Sequence, residues 1–223
     1  MFTFYRSRWC WSRWQKRFAS SKERNIIPVA KTIHKTAAVL LHYPVTNRQG
    51  EPITTAVTNL DIHDIARTAR TYEIDHYYLV NPLVEQIEVV KRILEYWETP
   101  RTREWHPDRF EALSRVQILE DFASVKADLS SRYPGLKQEV AMPDARPLPD
   151  QLSYSDIRSK WESEESASVK IIVFGTGGGV SEAFFPEVHT YLAPVYGPLE
   201  SSGYNHLSVR AAAAVILDRL YGK

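Results

Sequence analysis

The chain has 223 residues, 43% of them hydrophobic and 25% charged, with a formal net charge of +1, which is ordinary for a soluble globular domain with one buried core. Its single cysteine, Cys10, excludes an intramolecular disulfide framework and any cysteine-built zinc site. No apolar run approaches the length needed to span a bilayer, so no membrane partner is expected.

The charge is unevenly spread. Residues 1–24 hold seven of the 28 Lys and Arg but only one, Glu23, of the 27 Asp and Glu, which leaves a mildly acidic body. Trp11, Trp14 and Phe18 would share one helical face, the pattern of an organellar import presequence, and Arg17-Phe18-Ala19-Ser20 suits a processing site. A basic aromatic tail contacting RNA and a plain extension are the competing readings. The expected organisation is an N-terminal extension over residues 1–34 and one folded domain over 35–223. A mitochondrial or other organellar matrix is the expected location, with the cytoplasm as the alternative.

Beyond this leader, strands and helices alternate. Thr36 to Tyr43 is a continuous apolar run of strand length. Asp61 to Tyr72 then places Ile62, Ile65, Ala69 and Tyr72 at helical spacing. A strand is expected over His76 to Val80, and a helix over Val84 to Glu98 with Ile87, Val90, Leu94 and Trp97 on one face and Pro100 as its stop. A polar segment around Trp105-His106-Pro107 leads to a short helix near Phe110 and Leu113 and a strand over Val116 to Leu119. A helix from Asp121 to Ser131, a strand over Val140 to Met142, a loop from Pro143 to Pro149 and a helix from Ser153 to Glu165 follow. Val169 to Phe174 is the most strand-like segment. This order predicts an α/β fold, a mainly parallel sheet with helices on both faces, and a site at the carboxyl ends of the strands.

Three segments at such ends carry chemistry. In the first, His63, Arg67 and Arg70 share a helix face, either a phosphate-binding group or, on the plainer alternative, solvated surface with Asp61 no more than a helix cap. In the second, Gly175-Thr176-Gly177-Gly178-Gly179 leaves the strongest strand. Backbone there can approach a ligand closely, and a helix can start at Val180. The Walker lysine and the opening position of a dinucleotide fingerprint are both missing, which disfavours a nucleotide-phosphate or nicotinamide enzyme. The third runs from Tyr191 to Gly197 and on to Asn205-His206-Leu207-Ser208, ahead of a helix of small residues, Ala211 to Ala214. His206 is either a proton acceptor or a structural histidine.

Several stretches taken in order resemble the SPOUT superfamily of RNA methyltransferases, most nearly a bacterial single-domain family. They include His42-Tyr43-Pro44-Val45, Thr58 to Thr71, Asn81-Pro82-Leu83, His106-Pro107-Asp108-Arg109, Asp144-Ala145-Arg146-Pro147, the glycine turn and Tyr204 to Leu217. The likeness covers Lys35 to Gly222. It implies a C-terminal trefoil knot, an exception to the general rule that chains do not thread their own loops. It also implies S-adenosylmethionine held by Pro143, Asp144, Ala145, Gly175, Thr176, Gly177, Gly179, Leu192, Pro194, Gly197, Asn205 and Leu207.

The implied reaction is methyl transfer to a nucleotide of tRNA or rRNA by a homodimer. Arg67 would position the acceptor, with Asn205, His206 and Ser208 near the methyl group. The alternative is a catalytically silent structural component of an organellar ribonucleoprotein particle such as the mitochondrial ribosome. In the ribose-methylating branch an asparagine stands where this chain has Asp61, a glutamate where it has Gly177, and a serine and an asparagine where it has Tyr204 and His206. Those departures leave the acceptor atom open.

Overall fold

A computed structural model describes residues 33–198 and 204–223, which belong to a compact unit spanning Thr32–Lys223. The proposed presequence, Cys10 and Gly203 lie outside the described residues. Six strands form one sheet in the order β5-β4-β1-β7-β6-β8: β1 (Lys35–Leu41), β4 (His76–Val80), β5 (Val116–Leu119), β6 (Lys137–Pro143), β7 (Ser168–Gly175) and β8 (Thr190–Leu192). Every pair in it is parallel. A two-stranded antiparallel hairpin, β2 (Val45–Thr46) and β3 (Pro52–Ile53), follows β1.

The continuous apolar runs form these strands because a parallel sheet is covered on both faces and both sets of alternating side chains need burial. Ala38 and Leu40 of β1 point into one core with Tyr77, Leu79, Ile172 and Phe174. Ala37, Val39 and Leu41 point into the other with Tyr78, Val80, Ile171 and Val173. The first core is covered by α1 (Asn59–Thr71), α2 (Val84–Trp97), α4 (Pro107–Leu113), α6 (Tyr154–Glu162) and α7 (Val209–Tyr221). The second is covered by α5 (Phe122–Arg132) and a 3-10 helix, Glu182–Glu187, through Phe122, Val125, Leu129 and Phe184. This is the expected parallel α/β architecture with helices on both faces.

Three local expectations are corrected. Pro100 does not simply end α2: it is the first residue of a further helix, α3 (Pro100–Trp105), because Thr99 caps that helix and a proline at its start gives up no needed N–H. The polar segment around Trp105-His106-Pro107 is accordingly the junction of two short helices. After the glycine turn no α-helix starts at Val180. Val180 instead bridges antiparallel to Val45, and the 3-10 helix that follows contains Pro186, which cannot donate to a regular ladder.

The order of the strands positions the site. From β1 the chain steps outward to β4 and β5, then crosses to the far side of β1 and builds β6, β7 and β8 there. The two directions diverge between β1 and β7, which run side by side from Lys35↔Val169 to Leu41↔Gly175. A crevice forms outside the carboxyl ends of strands at such a divergence. The glycine turn leaves β7 at that point.

Candidate cofactor and acceptor site

A cavity of about 700 Å³ opens there, lined by the start of α1, the loop after β6, the glycine turn after β7 and the start of α7. Its volume suits a nucleoside-sized ligand. Phe174 and Ile216 are buried in its wall and Val195 and Ala212 partly so, while Thr58, Arg146, His206 and Ser208 are exposed at the rim. Tyr154 also lines it, and burial pushes its hydroxyl up to about 12, so it stays a neutral donor to the Ala193 carbonyl at 2.8 Å. The cavity therefore has an apolar depth for a flat ring and a polar mouth.

The glycine turn is fixed by backbone. Gly178 N–H donates to the Thr46 carbonyl at 2.7 Å, Thr46 N–H donates to the Gly179 carbonyl at 2.9 Å, and Ser181 N–H donates to the Pro44 carbonyl at 3.1 Å. A Cβ at Gly178 would sit 2.8 Å from the Thr46 oxygen, and Gly179 has φ +106, a conformation that side chains strongly disfavour. The turn is rigid because hairpin β2–β3 grips it, and its ligand-facing wall is consequently preformed.

Behind the turn lies a hydrogen-bond chain whose direction can be deduced. Thr176 Oγ1 donates to the Leu41 carbonyl at 3.1 Å, since a carbonyl only accepts. The Thr55 hydroxyl must then donate to Thr176 across 2.5 Å, so His42 Nδ1, 3.0 Å from Thr55 Oγ1, must carry a proton and donate in turn. His42 is fully buried and its Nε2 has no partner. Burial lowers its pKa to about 4, against a smaller upward pull from Asp61. His42 is thus a neutral Nδ1–H tautomer that braces Thr55 and Thr176, both of which line the cavity.

The rim is held from both sides. Thr58, not Asp61, caps α1: its hydroxyl oxygen accepts from Asp61 N–H at 3.2 Å and its O–H donates to Asp61 Oδ2 at 2.6 Å. Ser208 caps α7 by accepting from Ala211 N–H at 3.3 Å. Asn205 donates to the Ala145 carbonyl at 3.0 Å and so ties the last loop to the loop after β6. Within that loop Arg146 makes two side-chain hydrogen bonds to the Asp144 carboxylate, at 2.8 and 2.9 Å.

Of the residues expected from the sequence, Pro143, Asp144, Ala145, Gly175, Thr176, Gly177, Gly179, Asn205, His206, Leu207 and Ser208 all line this cavity. Arg67, Leu192, Pro194 and Gly197 do not. Arg67 is exposed on the third turn of α1, whereas only the first turn of that helix reaches the cavity. The arginine that meets Asp61 is Arg210, at 3.5 Å. Leu192 and Pro194 are buried. Sequence reasoning missed Thr55, Thr58 and Tyr154 as lining residues. Of these, only Thr58 had a readable signal, as a threonine just before a helical pattern with an acid three residues on.

These residues fit S-adenosylmethionine: the depth suits adenine, and the Asp144 carboxylate in the lining suits a ligand bearing an ammonium and a sulfonium. Comparison with known proteins agrees. An uncharacterized protein of Aquifex aeolicus is 37% identical over 184 residues, covering 82% of this chain and 87% of that protein. A tRNA (guanine-N(1)-)-methyltransferase of Nitratidesulfovibrio vulgaris is 36% identical over 184 residues; the match takes in 82% of this chain but only 41% of that longer protein. Among solved structures, TrmJ from Z. mobilis shares the fold with TM-score 0.52 at 14% identity, covering 83% of this chain and 68% of that one. The SpoU methyltransferase AviRb from Streptomyces viridochromogenes, solved in complex with AdoMet, does so with TM-score 0.50 at 12% identity, covering 91% and 62%. The family model for SAM-dependent RNA methyltransferases matches residues 35–222, and this chain belongs to that family.

Proposed function

We propose that this protein transfers a methyl group from S-adenosylmethionine to a nucleotide of tRNA. The observation that carries the reading is the convergence on one preformed cavity of three loops far apart in sequence, in a chain that matches an RNA methyltransferase family over nearly all its described length. tRNA is favoured over rRNA because two relatives with a stated substrate, in Nitratidesulfovibrio vulgaris and Oleidesulfovibrio alaskensis, are tRNA methyltransferases. This chain spans 41% of each of them, so their guanine-N(1) acceptor stays with the longer proteins. The cavity and the family together favour the enzyme over the silent particle component.

When bound, S-adenosylmethionine supplies a methyl group already activated by its sulfonium. The protein's own task is alignment and removal of one proton. Phe174, Val195, Ala212 and Ile216 would hold the adenine, and the backbone of residues 143–146 and 175–179 would enclose the rest. Asp61, fixed by Thr58 and Arg210, is the carboxylate placed to take the proton, with His206 and Asn205 orienting the acceptor from the opposite rim. Ser208 contributes through its cap rather than through contact. In this reading the C-terminal segment threads as a trefoil knot around the cofactor, and a second copy closes the site from outside. The N-terminal extension over residues 1–34 directs the chain to an organellar matrix.

Transfer of tritium from methyl-labelled S-adenosylmethionine to unmodified bulk tRNA tests this. Acid-precipitable label that disappears in Asp61→Ala is expected. A folded protein that binds the cofactor but labels neither tRNA nor rRNA would overturn the assignment.

A further inference from the structure

A second concave surface lies beside the first and is used by none of the chemistry above. It is a groove of about 650 Å³ between α1 and α2, lined among others by Leu60, His63, Arg92, Tyr96, Trp97 and Arg109. It touches the cofactor cavity along the first turn of α1: Asn59 and Leu60 face the groove, while their neighbours Thr58 and Asp61 face the cavity. Arg210 stands between the two, 3.5 Å from Asp61 and 3.6 Å from Asp64.

The composition of the groove is unlike a solvated helix face. Tyr96 and Leu60 are large apolar side chains left more than half exposed. Trp97 forms the floor with the edge of the His63 ring 5.3 Å away and the Arg109 guanidinium 5.1 Å above its face. Next to it Arg101 lies 4.8 Å over the exposed Trp105 ring, and Arg103 lies 4.3 Å over Phe110. Among the described residues none of Arg67, Arg92, Arg101, Arg103 and Arg109 pairs with a carboxylate; the single acid lining the groove, Asp64, is engaged by Arg210. Burial lowers the pKa of His63 first, and the nearby charges of Arg109 and Arg67 lower it further against the pull of Asp64.

Exposed aromatic faces interleaved with unneutralised guanidiniums are what single-stranded nucleic acid needs, because a base stacks on a ring and its phosphate finds a cation. On a mildly acidic body, these guanidiniums without a carboxylate partner give the polyanion one place to enter. We propose that this groove binds an unstacked nucleotide of the substrate RNA flanking the methylated one, with its base against Tyr96 and Trp97 and its phosphate between Arg92 and Arg109. The position, one turn of helix from the cavity, sets the flanking nucleotide beside the acceptor. The proposal rests on the RNA-methyltransferase reading and adds where the strand is gripped.

The test is fluorescence anisotropy with a short fluorescein-labelled single-stranded RNA of mixed sequence, on the full chain saturated with S-adenosylhomocysteine. Arg92→Glu and Arg109→Glu are compared with Lys160→Glu, an equal change of charge on α6, which does not line the groove. Tyr96→Ala is compared with Tyr96→Phe, which keeps the stacking face. We expect each groove reversal and Tyr96→Ala to weaken RNA binding about tenfold, with Tyr96→Phe near wild type. Cofactor affinity by calorimetry should be unchanged in all of them, which separates a failure here from a failure of the methyltransferase reading. Groove reversals no worse than Lys160→Glu would overturn the proposal, as would a wild-type chain that does not bind the RNA. Loss of dimer in sedimentation of Tyr96→Ala with RNA affinity intact would place a second copy on this surface instead.

Discussion

Arg210, in the first turn of α7, reaches Asp61, in the first turn of α1, across 3.5 Å, although 149 positions separate them in the chain. The contact ties together the two helix starts that flank the cavity mouth. It also leaves both oxygens of the Asp61 carboxylate engaged, Oδ1 by Arg210 and Oδ2 by the Thr58 hydroxyl at 2.6 Å.

Asp61→Asn keeps the shape and removes the base. Methyl transfer should fall about a hundredfold or more, the usual worth of a general base, while S-adenosylmethionine affinity stays near wild type. Arg67→Ala, by contrast, should leave transfer nearly unchanged, because Arg67 lies outside the cavity lining. Single-turnover kinetics with calorimetry on both variants checks this. Equal losses in the two would put Arg67 back in the site.

Gly179→Ala should weaken cofactor binding and stability together. At φ +106 any side chain is strained, at a cost of about 1–3 kcal/mol, and the turn cannot relax because Thr46 N–H is bonded to the Gly179 carbonyl. Gly50 has a similar φ of +82 but open space around it, out on the hairpin. Gly50→Ala should therefore cost stability alone, which denaturant melts with and without S-adenosylhomocysteine would separate.

His42 makes the fold acid-sensitive. The folded chain holds it unprotonated down to about pH 4, while the unfolded chain takes up the proton near the ordinary value of 6.5. The unfolded state thus binds the extra proton first. Stability is complete above about pH 6.5 and declines as pH falls toward 4, by about 3 kcal/mol from this group. His63 and His76 are shifted in the same direction, so the test is a difference: His42→Asn should flatten part of the slope in urea melts across that range. Nitrogen NMR of the wild type should also show the proton on Nδ1. An Nε2–H tautomer would contradict the deduced hydrogen-bond chain.

Lys170 belongs to the opposite end of the sheet and should matter only for stability. It is fully buried, with Nζ 2.7 Å from Glu139 and 2.6 Å from Glu164. Burial pushes the Glu139 carboxyl up, but Lys137 and Lys170 outweigh it and bring it down to about 2. Lys170→Met takes the short ion pair from Glu164 and leaves Glu139 with Lys137 alone, and should cost about 3–5 kcal/mol, much of it recovered when Glu139→Gln and Glu164→Gln are added. Thermal melts check this, and cofactor affinity of the folded fraction should not move.

The sheet was legible because its central strands are buried on both faces and so appear as unbroken apolar runs such as Val169 to Phe174. The hairpin β2–β3 and strand β8 were not, since two or three residues carry no period and are specified by distant partners, Val45 by Val180 and Thr190 by Ala141. Helix periodicity correctly put Ile62, Ile65 and Ala69 on the buried face of α1. It could not say that the cavity meets only the first turn, so that Arg67 lies outside the lining, nor that Arg210 pairs with Asp61 from the far end of the chain. The glycine turn was legible as a tight connection. That its tightness comes from Thr46 reaching over Gly178 is a contact between segments more than a hundred positions apart, which no local pattern records.

The central claim is that the cavity between the glycine turn and α7 is the S-adenosylmethionine site. Titration calorimetry of the wild type and of Ala212→Phe, which fills the apolar depth from a partly buried position on α7, tests it most directly. One cofactor per wild-type chain, displaced by S-adenosylhomocysteine and absent in the folded variant, is the expected result. A folded wild type that binds none, or an Ala212→Phe chain that binds as well as wild type, would contradict it.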